Sequence, residues 1–460
     1  MSVPGANLPI WPRTVRRAAR LRRLRGPVID ASLTDVCIGE ICVIRSEAGS
    51  RHIVGRAQVI GFSDDGAVLA LLGTAHGLSR AAVIEPTGSP FCIRVSGGLL
   101  GTVIDANGSV CGHLVGEDHT VGDAVDAVVT AVGPGIGDAA PVQTAAEQTR
   151  VVETTHPVEK RPVVEPFETG VRVIDGVLGA GIGQRVVVLA GAGVGKTSLL
   201  QMIASAPRAD VVVMCLVGER GREVSETVER LREGPRPART VLVRATSDAP
   251  AVERVAAAGS AMTVAEYFRD EGLHVLLILD SLTRYARALR EIALSAGELP
   301  ARHGYPASVF ERLPCLLERA GCAGRGAITA FFSVLADDDD TLDPIAHEVM
   351  SIVDGHVVLS RQLAGEGHYP AVDVSRSVSR VAARVGTQAD FDRATRVRRV
   401  LARAAELAML VDMGEYRPGV VPEDDYALAA ATRLRAVLSQ VPGVVATMAD
   451  TRKAIDGALS

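Results

Sequence analysis

Ala190-Gly-Ala-Gly-Val-Gly-Lys-Thr197 decides how this chain is read, because of what stands on either side of it. Val186–Leu189 before it is an apolar run of strand length, and Ser198–Ala206 after it has helical spacing, so the glycines fall between a strand and a helix. Gly191, Gly193 and Gly195 let the backbone curl until successive N–H groups face inward, and the positive end of the next helix adds to the attraction for an anion. The setting predicts a phosphate-binding loop running from Gly191 through Ala192, Gly193, Val194 and Gly195 to Lys196, Thr197 and Ser198. Lys196 is expected to reach the β- and γ-phosphates of ATP, and the Thr197 hydroxyl to bind Mg²⁺. The strict pattern has glycine at 190, where this chain has alanine.

Outward from the loop, apolar runs of strand length alternate with helical segments, as in a parallel sheet covered by helices. The expected strands are Val186–Leu189, Val211–Val217, Thr240–Arg244, Val275–Leu279, Ile328–Val334 and Val357–Leu359, with helices such as Glu223–Glu233 and Ala251–Arg269 between them. Val275-Leu-Leu-Ile-Leu-Asp280 is an apolar strand ending in one carboxylate. Asp280 reads as a Mg²⁺ holder at the carboxyl edge of the sheet, with a helix cap as the plainer alternative. Hydrolysis also needs a group to orient and deprotonate water, and Glu219, just past the strand Val211–Val217, is the candidate base. Arg220 beside it is a candidate to fix that base or to approach phosphate.

At 460 residues the chain is long enough for two or three domains at roughly 100–200 residues each. A content of 47% hydrophobic and 22% charged residues is that of a globular chain. No run of residues has the length and apolarity of a membrane span, and no cleavable signal opens the chain. The seven cysteines form no CxxC pair, which suits reduced thiols and a cytosolic compartment. With 49 basic and 54 acidic residues the net charge is −5, against a general affinity for nucleic acid.

Residues 1–26 carry seven arginines and no acid. Three readings stay open for this segment: a contact with anionic lipid or an acidic partner, a solvated frayed terminus, or a transit peptide thinly supported by hydroxyl residues. Residues 27–95 read as a small β-barrel, from β-rich runs such as Glu40–Ile44 and Val68–Leu72 set between turns. Residues 96–169, with strand-like pieces at Thr102–Asp105 and Ala124–Val132, read as a connector. Residues 170–385 form the nucleotide-binding domain. Residues 386–460 are helical, with Val397, Val400, Leu401, Ala404, Leu407, Ala408 and Val411 on one stripe.

Several clusters take plain readings. Cys111, His113, Glu117, Asp118 and His119 match no zinc spacing and read as a polar loop. Asp337–Asp340 reads as a solvated loop. Ser281 and Ser308 lack a histidine partner, so nucleophilic catalysis is not indicated.

Gly218-Glu-Arg-Gly-Arg-Glu223, Asp280-Ser-Leu-Thr-Arg-Tyr-Ala286, Gly297-Glu-Leu-Pro-Ala-Arg-His-Gly-Tyr-Pro-Ala-Ser-Val-Phe310 and Gly367-His-Tyr-Pro-Ala-Val-Asp373 together resemble the type III secretion ATPases, kin of the flagellar export ATPase. The resemblance runs from about Gly170 to Arg384 and more loosely to about residue 430. It implies an α/β fold: a RecA-like P-loop domain with a parallel sheet and helices on both faces, a β-barrel before it and a helical domain after it. Because the family is similar to the catalytic subunit of F-type rotary ATPases, it also implies a homohexamer with ATP at each interface. Arg380 then corresponds to an arginine finger reaching the neighbour's γ-phosphate, Tyr369 to the aromatic that stacks on adenine, and Tyr416 to a second wall of that pocket.

The implied activity is Mg-dependent ATP hydrolysis that powers protein export, releasing chaperones from substrates and unfolding them. The implied setting is the cytoplasmic face of a bacterial inner membrane, with a stator-like regulator, a central stalk and chaperone–substrate complexes as partners. Leu299-Pro-Ala-Arg302 and Arg284-Tyr-Ala-Arg-Ala288 lean toward the injection system. The alternatives are the flagellar export ATPase, a rotary ATPase subunit, an RNA-tracking helicase and a nucleotide-gated scaffold without turnover. Aromatics at 3% and a barrel that is not basic argue against the helicase. Gly101-Thr-Val-Ile-Asp-Ala106 lacks the arginine usual in the family, and the link after it is long, which suggests an insertion.

Overall fold

The computed structural model describes residues 18–115, 147–152, 159–206, 208–335 and 343–460. Arg13, Arg16 and Arg17, the piece Ala124–Val132, the cluster members Glu117, Asp118 and His119, and Asp337–Asp340 lie outside the described residues. The chain divides into two compact units, one reaching Phe91 and one from Cys92 to Ser460.

The first unit is a closed barrel in which Ala19–Arg25, Val28–Ala31, Gly66–Leu72, Ile53–Ser63, Glu40–Arg45 and Val83–Pro90 neighbour one another in that order around the wall. Glu40–Arg45 alternates buried and half-buried residues along its length, the period-two pattern of a strand with one face inward. Cys42, Ile44, Ala57, Leu69, Leu71 and Ile84 fill the interior. The barrel begins earlier than the sequence suggests. Arg20, Arg22, Arg23 and Arg25 belong to its first strand, where Arg22 pairs with Asp65 and Arg25 with Asp30, rather than to a separate basic segment ending at 26.

The second unit is built on one large sheet. Across it run Val372–Ser379, Gly355–Leu359, Arg185–Ala190, Gly326–Leu335, His274–Asp280, Val211–Glu219, Thr240–Thr246, Thr102–Ile104 and Val110–His113. The strands from Gly355–Leu359 to Thr102–Ile104 are parallel, and each end strand is antiparallel to its neighbour. Val211–Glu219 is buried at every residue, which explains why its sequence is an unbroken apolar run. All six expected parallel strands are present, each longer by two or three residues than its apolar stretch.

Part of the span read as connector is sheet. Thr102–Ile104 adds a buried parallel strand beside Thr240–Thr246, Gln148–Val151 pairs with Cys92–Val95, and Lys160–Arg161 pairs with Gly321–Ala323. Strands of two to four residues are too short to show alternation, so composition dominated the reading.

After the sheet come the helices Gln388–Asp412, Pro422–Leu438 and Met448–Ala458. A capping box at Thr387 and Asp390 starts the first, and its Val397, Val400, Ala404 and Leu407 are buried. Val411, at the end of the predicted stripe, is exposed. All seven cysteines are free thiols, and no helix among the described residues is long and apolar enough to cross a membrane.

Candidate functional site

Three parallel strands of the sheet deliver the chemistry at one edge, two of them neighbours and the third separated from them by Gly326–Leu335. Arg185–Ala190 runs into the loop Gly191–Gly195, Val211–Glu219 ends on the candidate base, and His274–Asp280 ends on the second carboxylate. Leu216 pairs with Asp280 in the ladder, so the two acids emerge on the same carboxyl edge. The helix Lys196–Ala204 starts directly after Gly195, whose φ of +91° is left-handed backbone that glycine adopts without strain.

Lys196 is the hub. Its ammonium contacts Asp280 Oδ1 and lies 3.8 Å from Glu219 Oε1. Asp280, only 2% exposed, also accepts a hydrogen bond from Ser333 Oγ at 2.6 Å. Glu219, 6% exposed, is held from its other side by Arg284, whose Nη2 is 3.0 Å from Oε2. A second guanidinium nitrogen of Arg284 donates to the Gly218 carbonyl, so one planar fork grips both the base and the backbone before it.

Glu219 titrates high, at about 7: burial is the main cause, with a hydrogen bond to Glu223 and the charge of Asp280 adding to it, while Lys196 and Arg284 pull the other way. A carboxylate tuned near neutrality is suited to taking a proton at physiological pH.

Arg284 is the residue that sequence reading missed. Its signal was present: it stands four residues past Asp280, one turn into a helix that Ser281 caps with its side chain, so it must lie over the carboxyl edge of the neighbouring strand. Arg220, the expected partner of the base, instead points outward with its side chain 80% exposed, 3.9 Å from Glu223. Ser281 is a helix cap, and Ser308 is held by Glu298, which accounts for both without nucleophilic chemistry.

Tyr369 lies against the loop. A Cβ at Gly195 would stand 3.3 Å from its ring carbons, and the phenol donates to the Ala364 carbonyl at 3.3 Å. The guanidinium of Arg361 lies similarly close to Gly191. Tyr416 is placed elsewhere in its contacts: its hydroxyl bonds to Asp425, which pushes the phenol up to about 12, and its amide donates to Leu410. From the C-terminal helices it is Ser439 and Gln440 that reach the Tyr369 carbonyl.

Arg380 stands at the opposite edge of the sheet. Its amide donates to the Asp354 carbonyl at 2.9 Å, and Asp354 in turn binds the amide of Arg185, the first residue of the strand that leads to the phosphate loop. The length of that strand, roughly 16 Å at about 3.3 Å per residue, separates Arg380 from its own loop.

The donors at the carboxyl edge are oxygens: the Thr197 hydroxyl and the Asp280 carboxylate. Among the described residues no three histidine, cysteine or acidic side chains cluster into a cage. This donor set fits Mg²⁺, a hard cation that takes one or two protein oxygens, substrate phosphates and water.

Comparison with known proteins shows the family. Residues 170–379 match the nucleotide-binding domain of the ATP synthase alpha/beta family, residues 23–88 its beta-barrel domain, and residues 387–456 the T3SS EscN ATPase C-terminal domain. The SPI-1 type 3 secretion system ATPase of Salmonella typhi is 45% identical over 442 residues, covering 96% of this chain and 97% of its own.

The chain belongs to the type III secretion ATPase family. The assembled ATPase EscN of enteropathogenic E. coli superposes with a TM-score of 0.82 at 37% identity, over 96% of this chain and all of that one. The same enzyme in complex with its central stalk EscO gives 0.79 at 36% identity, over 96% and 100%. This type III secretion ATPase therefore binds and hydrolyses ATP, and its reaction serves protein export.

Proposed function

We propose that Lys196, Glu219, Asp280 and Arg284 form the hydrolytic centre, with the loop from Gly191 to Ser198 cradling the triphosphate. Amides of the loop and the Lys196 ammonium bind the β- and γ-phosphates. Thr197 and Asp280 would hold Mg²⁺, which when bound neutralises phosphate charge. Glu219 orients a water toward the γ-phosphorus and takes its proton as the new P–O bond forms and the bond to the β–γ bridging oxygen breaks. Arg284 keeps the Glu219 carboxylate aimed and charged. The observation that carries this reading is the convergence of Lys196, Glu219 and Asp280 at the carboxyl edge of one parallel sheet.

Because Arg380 stands a strand's length from its own loop, it serves a neighbouring copy, and the working form is a homohexameric ring with a nucleotide at each boundary. Tyr369 packs the adenine. Ser439 and Gln440, rather than Tyr416, bring the C-terminal helices to that pocket. The assembled EscN relative and its central stalk support a ring that turns ATP hydrolysis into export, with the stalk in its bore. The ring works on the cytoplasmic face of a bacterial inner membrane, with a stator-like regulator and with chaperone–substrate complexes that it dismantles. The Arg-rich start provides the peripheral membrane contact, and nucleic acid has no part. The matches of its sequence strings favour the injection system over the flagellum.

Phosphate release measured against protein concentration, with and without Mg²⁺, tests the core of this proposal. Activity per subunit that climbs with concentration and disappears with chelator is the expected result. A rate independent of concentration across the whole range, from a chain that stays monomeric, would overturn the shared site.

A further inference from the structure

Gln440 follows the helix Pro422–Leu438 and is buried among polar contacts that leave none of its amide groups idle. Its side-chain Nε2 donates to the carbonyls of Gly170 at 2.8 Å and Val444 at 2.6 Å, and its Oε1 accepts from the amide of Arg172 at 2.8 Å. Its backbone N–H donates to the Tyr369 carbonyl at 2.8 Å, and Ser439 Oγ reaches the same oxygen at 3.3 Å. Gly170 is itself fixed, its amide donating to the buried Asp175 at 2.8 Å. The side chain thus pins a short C-terminal segment to the strap Gly170–Arg172, and that segment pins the backbone of the aromatic lying over Gly195.

We propose that Gln440 is a positioning residue for nucleotide recognition: it sets where the Tyr369 ring stands, and so makes affinity for the base depend on how the C-terminal helices are seated. The proposal rests on the reading of Tyr369 as the base-packing aromatic. A fully satisfied buried amide selects one arrangement of the groups around it, whereas a partly satisfied one does not. Only an amide fits here. A carboxylate would set lone pairs against the Gly170 and Val444 carbonyls, and an alanine would release the strap and leave the Tyr369 carbonyl held by an unanchored backbone.

The test compares KM for ATP, kcat, and inhibition by inorganic tripolyphosphate, which has the phosphates but no base. It uses wild type, Tyr369→Ala, Gln440→Ala, Gln440→Glu and the Tyr369→Ala/Gln440→Ala pair at one assembled protein concentration. Both Gln440 variants are expected to raise KM for ATP by about fivefold, the worth of roughly one hydrogen bond, with kcat within about twofold and tripolyphosphate inhibition unchanged. In the pair, loss of Gln440 adds nothing to loss of Tyr369. Unchanged KM, parallel weakening of tripolyphosphate, or a multiplicative double variant would each overturn the role of Gln440. If Gln440→Ala does not fold, Ser439→Ala is expected to show the same pattern at about twofold, and a silent Ser439→Ala then counts against the proposal. A Tyr369→Ala variant with wild-type KM instead defeats the reading of Tyr369, a result separable from the others.

Discussion

Arg284 and Glu219 form an ion pair of 3.0 Å at the edge of the sheet, and the same guanidinium holds the carbonyl of Gly218, the residue before the base. Two hydrogen-bonding arms of one rigid group therefore define both the charge and the direction of the carboxylate. Arg284 is among the causes that lower the Glu219 titration from where burial alone would put it, so removing it moves that titration further up from about 7. Arg284→Ala is expected to shift the midpoint of the pH–rate profile to higher pH and to cost roughly tenfold or more in kcat at neutrality, partly recovered in alkali. Arg284→Lys keeps a charge but not the fork, and falls between the two. A profile whose midpoint stays put in Arg284→Ala would show that the pair does not tune the base.

Glu219→Gln separates chemistry from binding. The amide keeps the shape but takes no proton, so kcat is expected to fall by about 10²- to 10⁴-fold while ATP binding persists. Stability carries a second, independent signature. The Glu219 titration is raised on folding, so its contribution is fully present below the ordinary carboxyl range and is lost as pH climbs through about 7. Glu219→Gln is therefore expected to melt higher than wild type at pH 8, with the advantage shrinking toward pH 5. Thermal melts across that range check the sign.

The residues that could be read without a structure are those whose chemistry is fixed by neighbours in sequence. The strand, loop and helix around Lys196 are contiguous, and an apolar strand ending in Asp280 declares its own polarity. What the sequence hid is pairing between strands. Arg284 meets Glu219 only because Val211–Glu219 and His274–Asp280 are adjacent and parallel with Leu216 opposite Asp280, a register no local pattern states. Arg220, adjacent to Glu219 in sequence, was the natural partner to expect, yet it lies past the strand's end, as the residue before the helix Gly221–Glu233, and its side chain leaves for solvent. Gln440 was silent for the same reason, since its partners at Gly170, Arg172 and Tyr369 are tens to hundreds of positions away. The early barrel strand was obscured by its arginines, which read as a tail until Asp30 and Asp65 are seen beside them.

Gly195 joins the loop's backbone geometry to the aromatic above it. Alanine there meets two penalties: left-handed backbone at φ +91°, worth about 1–2 kcal/mol, and a methyl 3.3 Å from the Tyr369 ring. Gly195→Ala is expected to lower stability by that order and to weaken ATP binding. Removing the ring as well leaves the backbone penalty but relieves the contact, so Tyr369→Ala should cost less stability in the Gly195→Ala background than in wild type. Chemical denaturation of the four proteins measures the coupling, and strict additivity would deny that the ring rests on the loop.

Arg380 stands at the amino edge of the sheet, a strand's length from its own phosphate loop, and the proposed ring assigns the two to different boundaries. Arg380→Ala and Lys196→Ala should each abolish turnover, the first by loss of transition-state charge compensation and the second by loss of phosphate binding. Mixing the two is the decisive arrangement. In a randomly mixed ring, about a quarter of the boundaries pair an intact Lys196 from one variant with an intact Arg380 from the other, and those boundaries are complete. Phosphate release is expected to reappear on mixing and to scale with the product of the two fractions. Mixtures that assemble yet stay inactive at every ratio would place Arg380 outside the neighbour's reaction, and a fully active Arg380→Ala homomer would remove it from catalysis altogether.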